Sequence, residues 1–263
     1  MKLLNPTAAV QTLLTIAQLA ARDIMAVYAS DFAVATKADL SPVTEADALA
    51  EKTILAGLAR HWPDVPVLAE EQTAAGVIPI LGKRFFLVDP LDGTKEFLSR
   101  NGEFTVNIAL IENGLPVRGV VYAPAINRMF WGDKTLGAAL ADVTPTQSLT
   151  SIAWQHIKVR KPPADGMTAV ASRSHADEST EAYLAKHNVK RRTSAGSSLK
   201  FCLVAAGEAD LYPRFGRTME WDTGAGQAVL EAAGGKVCQE DGSPLTYGKT
   251  VRGFDNPAFI ASA

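Results

Sequence analysis

The sequence predicts a mixed α/β protein in two unlike parts, an α+β part over residues 1–150 and an α/β part over 151–263. Three observations carry that prediction. Two stretches, 7–29 and 44–62, repeat apolar residues at helical spacing. Two apolar runs, 105–111 and 117–122, flank Glu112-Asn113-Gly114-Leu115-Pro116, a turn signal that joins antiparallel strands. From residue 168 onward, short strands and short helices take turns, the pattern of an α/β layer.

The first helix is rich in Ala and Leu and follows Lys2, as a secretion signal would. However, Gln11, Thr12 and Gln18 interrupt any apolar centre, and the helical pattern runs past Arg22-Asp23 to Ile24 and Val27. The sequence contains no 18 consecutive apolar residues, so no membrane span is expected. A cytoplasmic protein is the reading that follows. Residues 32–37 alternate loosely as a strand, and Asp39-Leu40-Ser41-Pro42 reads as a turn. Thr44 opens the second helix, with Ala50, Ile54, Leu55 and Leu58 inward and a stop at Trp62-Pro63.

Residues 65–69 form a short buried strand running into Glu70-Glu71. Neighbours in an extended chain point to opposite faces, so one of this pair is expected to face a site and the other away from it. Another strand spans 85–88, and after the hairpin comes one at 128–132. Residues 142–163 hold Pro, Ser and Thr with little periodicity, which places the division near 150. Beyond it come a strand at 168–171, a helix at 177–187 and a strand at 189–193 leading to Ala195-Gly196-Ser197-Ser198. A helix at 199–206 and a strand at 209–214 follow. Trp221-Asp222 opens the last helix, with Ala225, Ala228, Val229 and Ala232 on one face and Gly234-Gly235 closing it.

Composition narrows the class. The chain has 263 residues, 47% apolar and 21% charged, the profile of an ordinary globular protein with ample core. A net charge of -2 argues against a protein that coats nucleic acid. Cys202 and Cys238 each sit in an apolar stretch and read as free buried thiols.

The chemistry concentrates in Asp89-Pro90-Leu91-Asp92-Gly93-Thr94. Pro90 has no N–H and is expected to end the strand at Asp89. Gly93 allows a reversal, and Thr94 can open a helical turn. Two carboxylates at a strand end suit a hard divalent cation, and the free N–H groups beyond them suit an anion. A metal beside a phosphate is the simplest occupant. An EF-hand loop needs ligands at alternate positions that Asp89 onward does not supply. The D-x-D-G-T of haloacid-dehalogenase-type phosphatases is one residue shorter, so neither rival fits.

Taken singly, the other polar residues have ordinary readings. Thr44 and Asp47 have capping-box spacing, and Asp222 stands where a helix cap belongs. Ser197 and Ser198 read first as N-caps, His175 as a loop histidine, and Lys200 and Arg214 as solvated charges.

Together, Glu70-Glu71, Asp89 to Thr94 and Trp221-Asp222 in an Ala/Gly-rich helix resemble the lithium-sensitive, metal-dependent phosphatases of the inositol monophosphatase superfamily. The resemblance runs from Asp47 to Phe259-Ile260. Within it, 92–97 and Gly196-Ser197-Ser198-Leu199-Lys200-Phe201-Cys202 are most similar to the bacterial 3′(2′),5′-bisphosphate nucleotidases. It implies a layered α-β-α-β-α sandwich of the inositol monophosphatase/fructose-1,6-bisphosphatase type, with the site between the two parts. It implies two or three Mg2+ ions held by the side chains of Glu70, Asp89, Asp92 and Asp222 and by the carbonyl of Leu91. Asp47 and Thr94 would orient the attacking water, the amides of Gly93 and Thr94 would hold the phosphoryl oxygens, and Glu71 would stand behind the ligands. His175, Ser197, Lys200 and Arg214 would bind the nucleotide.

The implied reaction converts adenosine 3′,5′-bisphosphate to AMP and phosphate, a clean-up step of sulfate assimilation. The implied partner is a small-molecule nucleotide, with no nucleic acid; a homodimer and attachment to the cytoplasmic face of the inner membrane are left open. An inositol or sugar-phosphate phosphatase is the alternative. Inositol phosphatases place an acidic residue where Arg214 stands, and a guanidinium cannot accept from ring hydroxyls. A non-catalytic sensing module would have lost a ligand position, and none is missing.

Overall fold

The computed structural model describes residues 2–36, 42–172 and 178–263; the turn expected at 39–42 falls, but for Pro42, outside them. The chain begins with α1 (Ala8–Tyr28), where the Thr7 hydroxyl accepts the Val10 N–H. The antiparallel pair β1 (Val34–Thr36) and β2 (Pro42–Thr44) leads into α2 (Glu45–His61). Next come β3 (Val67–Ala69), α3 (Glu70–Ala74), β4 (Arg84–Asp92) and α4 (Thr94–Leu98). A meander follows: β5 (Thr105–Glu112), β6 (Leu115–Ala123), β7 (Arg128–Asp133), β8 (Gly137–Asp142) and β9 (Gln155–Ile157). The second part runs β10 (Met167–Ser172), α5 (Glu178–Ala185), β11 (Val189–Ala195), α6 (Leu199–Ala205) and β12 (Leu211–Arg214). It ends with α7 (Glu220–Ala232), β13 (Lys236–Gln239) and β14 (Phe259–Ser262).

Strands β3 to β9 pair in chain order as one seven-stranded sheet, parallel between β3 and β4 and antiparallel after that. A second sheet has the order β11-β10-β12-β14-β13, with β10 parallel to both its neighbours and β14 antiparallel to both of its own. Helices α1 and α2 cover one face of the first sheet, burying Leu13, Leu14, Ile24 and Ile54 against Phe86, Ile108 and Trp131. Helices α6 and α7 fill the space between the sheets, and α5 packs on β12. The layering is α-β-α-β-α, as the resemblance implies. Helix α7 lies so close to the first sheet that a Cβ at Gly119 would stand 2.5 Å from the Ala225 carbonyl oxygen.

The hairpin signal is met: Asn113 and Gly114 turn at positive φ between β5 and β6. The strand expected to stop at Asp89 instead continues to Asp92. Asp89 pairs with Asn107 and Asp92 with Thr105, so β4 carries one extra residue there, a bulge. A bulge leaves its residues out of the ladder, which is why Pro90 is tolerated inside a strand. Glu70 and Glu71 do not leave a strand on opposite faces. They are the first two residues of α3, about 100° apart around a helix axis.

Strands β8, β9 and β13 went unforeseen; β8 is mostly Ala and Gly, and β9 and β13 have only three and four residues, so their pairing comes from neighbours rather than propensity. We propose that the two parts meet between Ile157 and Met167, somewhat beyond the expected 150, because β9 still pairs in the first sheet and β10 opens the second. Both cysteines are free; Cys202 is buried, while Cys238 is only partly so.

Candidate active site

Four segments that are remote in sequence meet: the β4 bulge with α4, the start of α3, the turn before α6, and the first turn of α7. Electrostatics record the meeting. The Asp89 carboxyl is pushed well above the ordinary carboxylate range, first by burial and then by Glu70, Asp92 and Asp222, and it shares a hydrogen bond with Glu70. Asp222 is raised in the same way, by burial and then by Asp92 and Glu70. Asp92 is raised to about 6 by burial, with Lys200, Asn107 and the Ser198 N–H pulling it down.

Each aspartate is aimed by the backbone around it. The Leu91 N–H donates to Asp89 Oδ1 at 3.0 Å across the bulge. Asp92 Oδ2 accepts the Ser198 N–H at 2.7 Å and Asn107 Nδ2 at 3.1 Å. Asp222 accepts the Met219 N–H at 2.8 Å, so the N-cap role read from the sequence is real in part. It closes the first turn of α7 from the third helical position. Ser198 ties the two halves together: its hydroxyl donates to the Asp222 carbonyl at 2.8 Å while its N–H holds Asp92.

Among the described residues, no three His, Cys, Asp or Glu side chains converge as a ready-made ion cage. The donor set still fits a hard divalent cation. Four carboxylates within electrostatic reach, two of them raised well above their usual range by burial and mutual repulsion, form a charge arrangement that a cation relieves.

Asp47 makes the capping box: Asp47 Oδ2 accepts the Thr44 N–H at 2.8 Å and its hydroxyl at 2.9 Å. It is buried, and β2, which ends at its partner Thr44, packs against α4. Gly93 caps α4 at φ +94°, a left-handed conformation that an L residue resists, and Thr94 is the first residue of that helix. Leu91 is buried in the bulge, where an apolar side chain packs while the backbone stays at the site.

On the other side of Asp92, Lys200 is buried in α6, and its Nζ donates to the Ser197 carbonyl at 2.7 Å. Burial lowers it to about 8, although Asp92 pulls it up. Arg214, at the end of β12, donates to the carbonyls of Gly216 and Arg217 at 3.1 and 3.2 Å and is close enough to act on Lys200 and Asp222. The serines do not cap α6 with their side chains. The Ser197 hydroxyl turns back to the Glu103 carbonyl at 2.9 Å with φ +45°, and the Ser198 hydroxyl goes to Asp222. His175 lies outside the described residues.

Asn107 escaped the sequence reading. It is buried in β5, donates to Asp92 and to Ser198 Oγ at 3.1 Å each, and accepts from Thr105 at 2.9 Å. A lone amide inside an apolar strand, directly across from Asp89, was the available signal. Glu51 was missed too: its carboxylate receives the N–H groups of Glu71 and Gln72.

The sequence model of the Inositol monophosphatase family matches residues 7–258. Among curated relatives, 3′(2′),5′-bisphosphate nucleotidase CysQ of Escherichia coli O157:H7 is 49% identical over 244 residues, covering 91% of this chain and 93% of its own. The protein of that name from Escherichia coli strain K12 is 50% identical over 232 residues, 87% and 88% of the two chains. Among solved structures, CysQ from Bacteroides thetaiotaomicron superposes with a TM-score of 0.81 at 38% identity, covering 97% of each chain. The extragenic suppressor protein suhB from Bartonella henselae gives 0.76 at 26% identity, covering 97% of this chain and 94% of its own.

Proposed function

The chain belongs to the inositol monophosphatase family, and we propose that within it this is a 3′(2′),5′-bisphosphate nucleotidase, hydrolysing adenosine 3′,5′-bisphosphate to AMP and phosphate. The observation that carries the substrate is the near 50% identity to nucleotidases of that name across about nine tenths of both chains. The site agrees with it. Carboxylates crowd one side, two cationic side chains stand on the other, and a bisphosphate nucleotide needs both a hydrolytic centre and a place for its second phosphate.

The family is generally magnesium-dependent. In our reading, Glu70, Asp89, Asp92, Asp222 and the Leu91 carbonyl hold two or three Mg2+ ions. Bound there, magnesium supplies Lewis-acid chemistry, drawing charge from the phosphate oxygens and making water more acidic. The chain's own residues do the rest. Asp47 and Thr94 orient the attacking water, with Asp47 fixed by the Thr44 cap. The N–H groups of Gly93 and Thr94, at the start of α4, face the phosphoryl oxygens. Lys200, Arg214 and Ser197, with His175, recognise the nucleotide beyond the scissile phosphate; a guanidinium suits a second phosphate through two parallel N–H groups. Glu71 supports the ligands from α3. We assign the enzyme to the cytoplasm. Attachment to the inner membrane finds no support, and among the described residues no helix is long and apolar enough to cross a membrane.

Phosphate release with magnesium, measured side by side on adenosine 3′,5′-bisphosphate, inositol 1-phosphate and fructose 1,6-bisphosphate, tests the substrate. The bisphosphate nucleotide should give the highest kcat/KM. A preference for either of the others would overturn the assignment.

A further inference from the structure

We infer that Glu51 is a positioning residue that fastens the start of α3 and thereby aims Glu70 at Asp89. The inference rests on the proposed role of Glu70 as a metal ligand. Helix α3 has only five residues, Glu70–Ala74, and none of them is buried. So short a helix does not hold itself together, and its residues are at most half-buried against β3, α2 and β4. Its first N–H groups also need acceptors, yet the N-cap position is Ala69, which has no side-chain oxygen to offer.

Glu51 supplies that cap from another helix. It reaches out of α2, is 4% exposed, and each of its oxygens accepts from α3. Oε2 accepts the Glu71 N–H at 2.8 Å and Oε1 accepts the Gln72 N–H at 2.9 Å. These are the second and third residues of the helix, the pair that an N-cap side chain ordinarily serves. A carboxylate at a helix N-terminus also sets a negative charge against the positive end of the peptide dipoles. Glu51 lies one turn beyond Asp47 on the same face of α2. A single helix therefore presents one carboxylate to the candidate water site and another to the segment that carries Glu70.

The consequence is specific. Releasing the clamp should loosen the first turn of α3 and the hold on Glu70, while leaving the nucleotide end and both sheets intact. Glu51→Gln has one acceptor oxygen, and its NH2 opposes the second N–H. We expect the magnesium concentration for half-maximal activity to rise about tenfold, and the Mg2+ dissociation constant from calorimetry on the full chain to rise with it. Amide exchange at Glu71 and Gln72 should quicken, the KM for adenosine 3′,5′-bisphosphate should stay within twofold at saturating magnesium, and kcat there should largely recover. Glu70→Gln, run alongside, serves as the reference. A shifted magnesium dependence in Glu70→Gln but not in Glu51→Gln overturns the role of Glu51 alone. An unshifted Glu70→Gln overturns the ligand role of Glu70, and the inference with it. A loss of kcat in Glu51→Gln that magnesium does not restore also counts against it. If Glu51→Gln does not fold, Glu51→Asp, which keeps the charge and loses the reach, is held to the same expectations.

Discussion

At one end of the site, Asp89 and Asp222 are pushed up by burial and then by Glu70 and Asp92; at the other, burial draws Lys200 down to about 8 while Arg214 opposes its charge. Both ends hold buried charge of one sign, and both are out of balance. They differ in which backbone groups hold them. The acidic end is fixed by backbone: Leu91 on Asp89, Ser198 on Asp92 and Met219 on Asp222. At the basic end the cations reach carbonyls of nearby turns, Lys200 that of Ser197 and Arg214 those of Gly216 and Arg217. The lesson is a division of labour. An anionic end held by N–H groups suits a cation, and a cationic end held by carbonyls suits an anionic part of the substrate.

The comparison breaks first at Asp92. Asp92→Asn keeps an oxygen for Ser198 and Asn107 but removes a charge, and turnover should fall at least a thousandfold, roughly 4 kcal/mol of transition-state stabilisation. A folded, magnesium-replete variant within tenfold of the parent would show that the acidic end is not the reaction centre.

Arg214 tests the other end, with a smaller effect. Arg214→Glu should lower kcat/KM for adenosine 3′,5′-bisphosphate about ten- to a hundredfold, the loss of a charge-assisted hydrogen bond of about 1.5–3 kcal/mol with repulsion added. Inositol 1-phosphate hydrolysis on the same preparation should fall far less. Equal losses on both substrates would place Arg214 with the phosphoryl group or the fold rather than with specificity.

The gentlest test reads stability. A carboxyl raised in the folded state stabilises the fold most at pH below its unfolded value, near 3.9, and that contribution is lost as pH rises through the folded value. For Asp92 the loss is complete above about 6, and Asp89 and Asp222 titrate in the same direction. Lys200 works the other way, its penalty easing only as pH climbs above about 8. Between pH 5 and 7.5 the acidic end therefore dominates. Magnesium should raise Tm by several degrees at pH 7.5 and by clearly less at pH 5 in thermal scans. An equal rise at both would separate magnesium binding from these carboxylates.

Much of this was legible from residue order alone. Helical periodicity gave α1 and α2 to within a residue or two, Asn113-Gly114 marked its hairpin, and the acidic motifs with Trp221-Asp222 pointed to the family before any coordinates. Those signals are local, carried by side-chain spacing and turn conformation, so the chain states them without needing its fold. Other features depend on what lies across from a residue. Pro90 reads as a strand end until β5 is set beside it and one extra residue becomes a bulge. Glu70-Glu71 reads as a strand exit until Glu51, some twenty positions earlier, turns it into a capped helix. Ser198 reads as an N-cap until Asp92 and Asp222 arrive from either side to claim its N–H and its hydroxyl. Each polar group has several partners it could satisfy, and hydrogen bonds reach only about 3 Å. Which partner wins is decided by packing that brings distant segments together, and only the tertiary structure contains that.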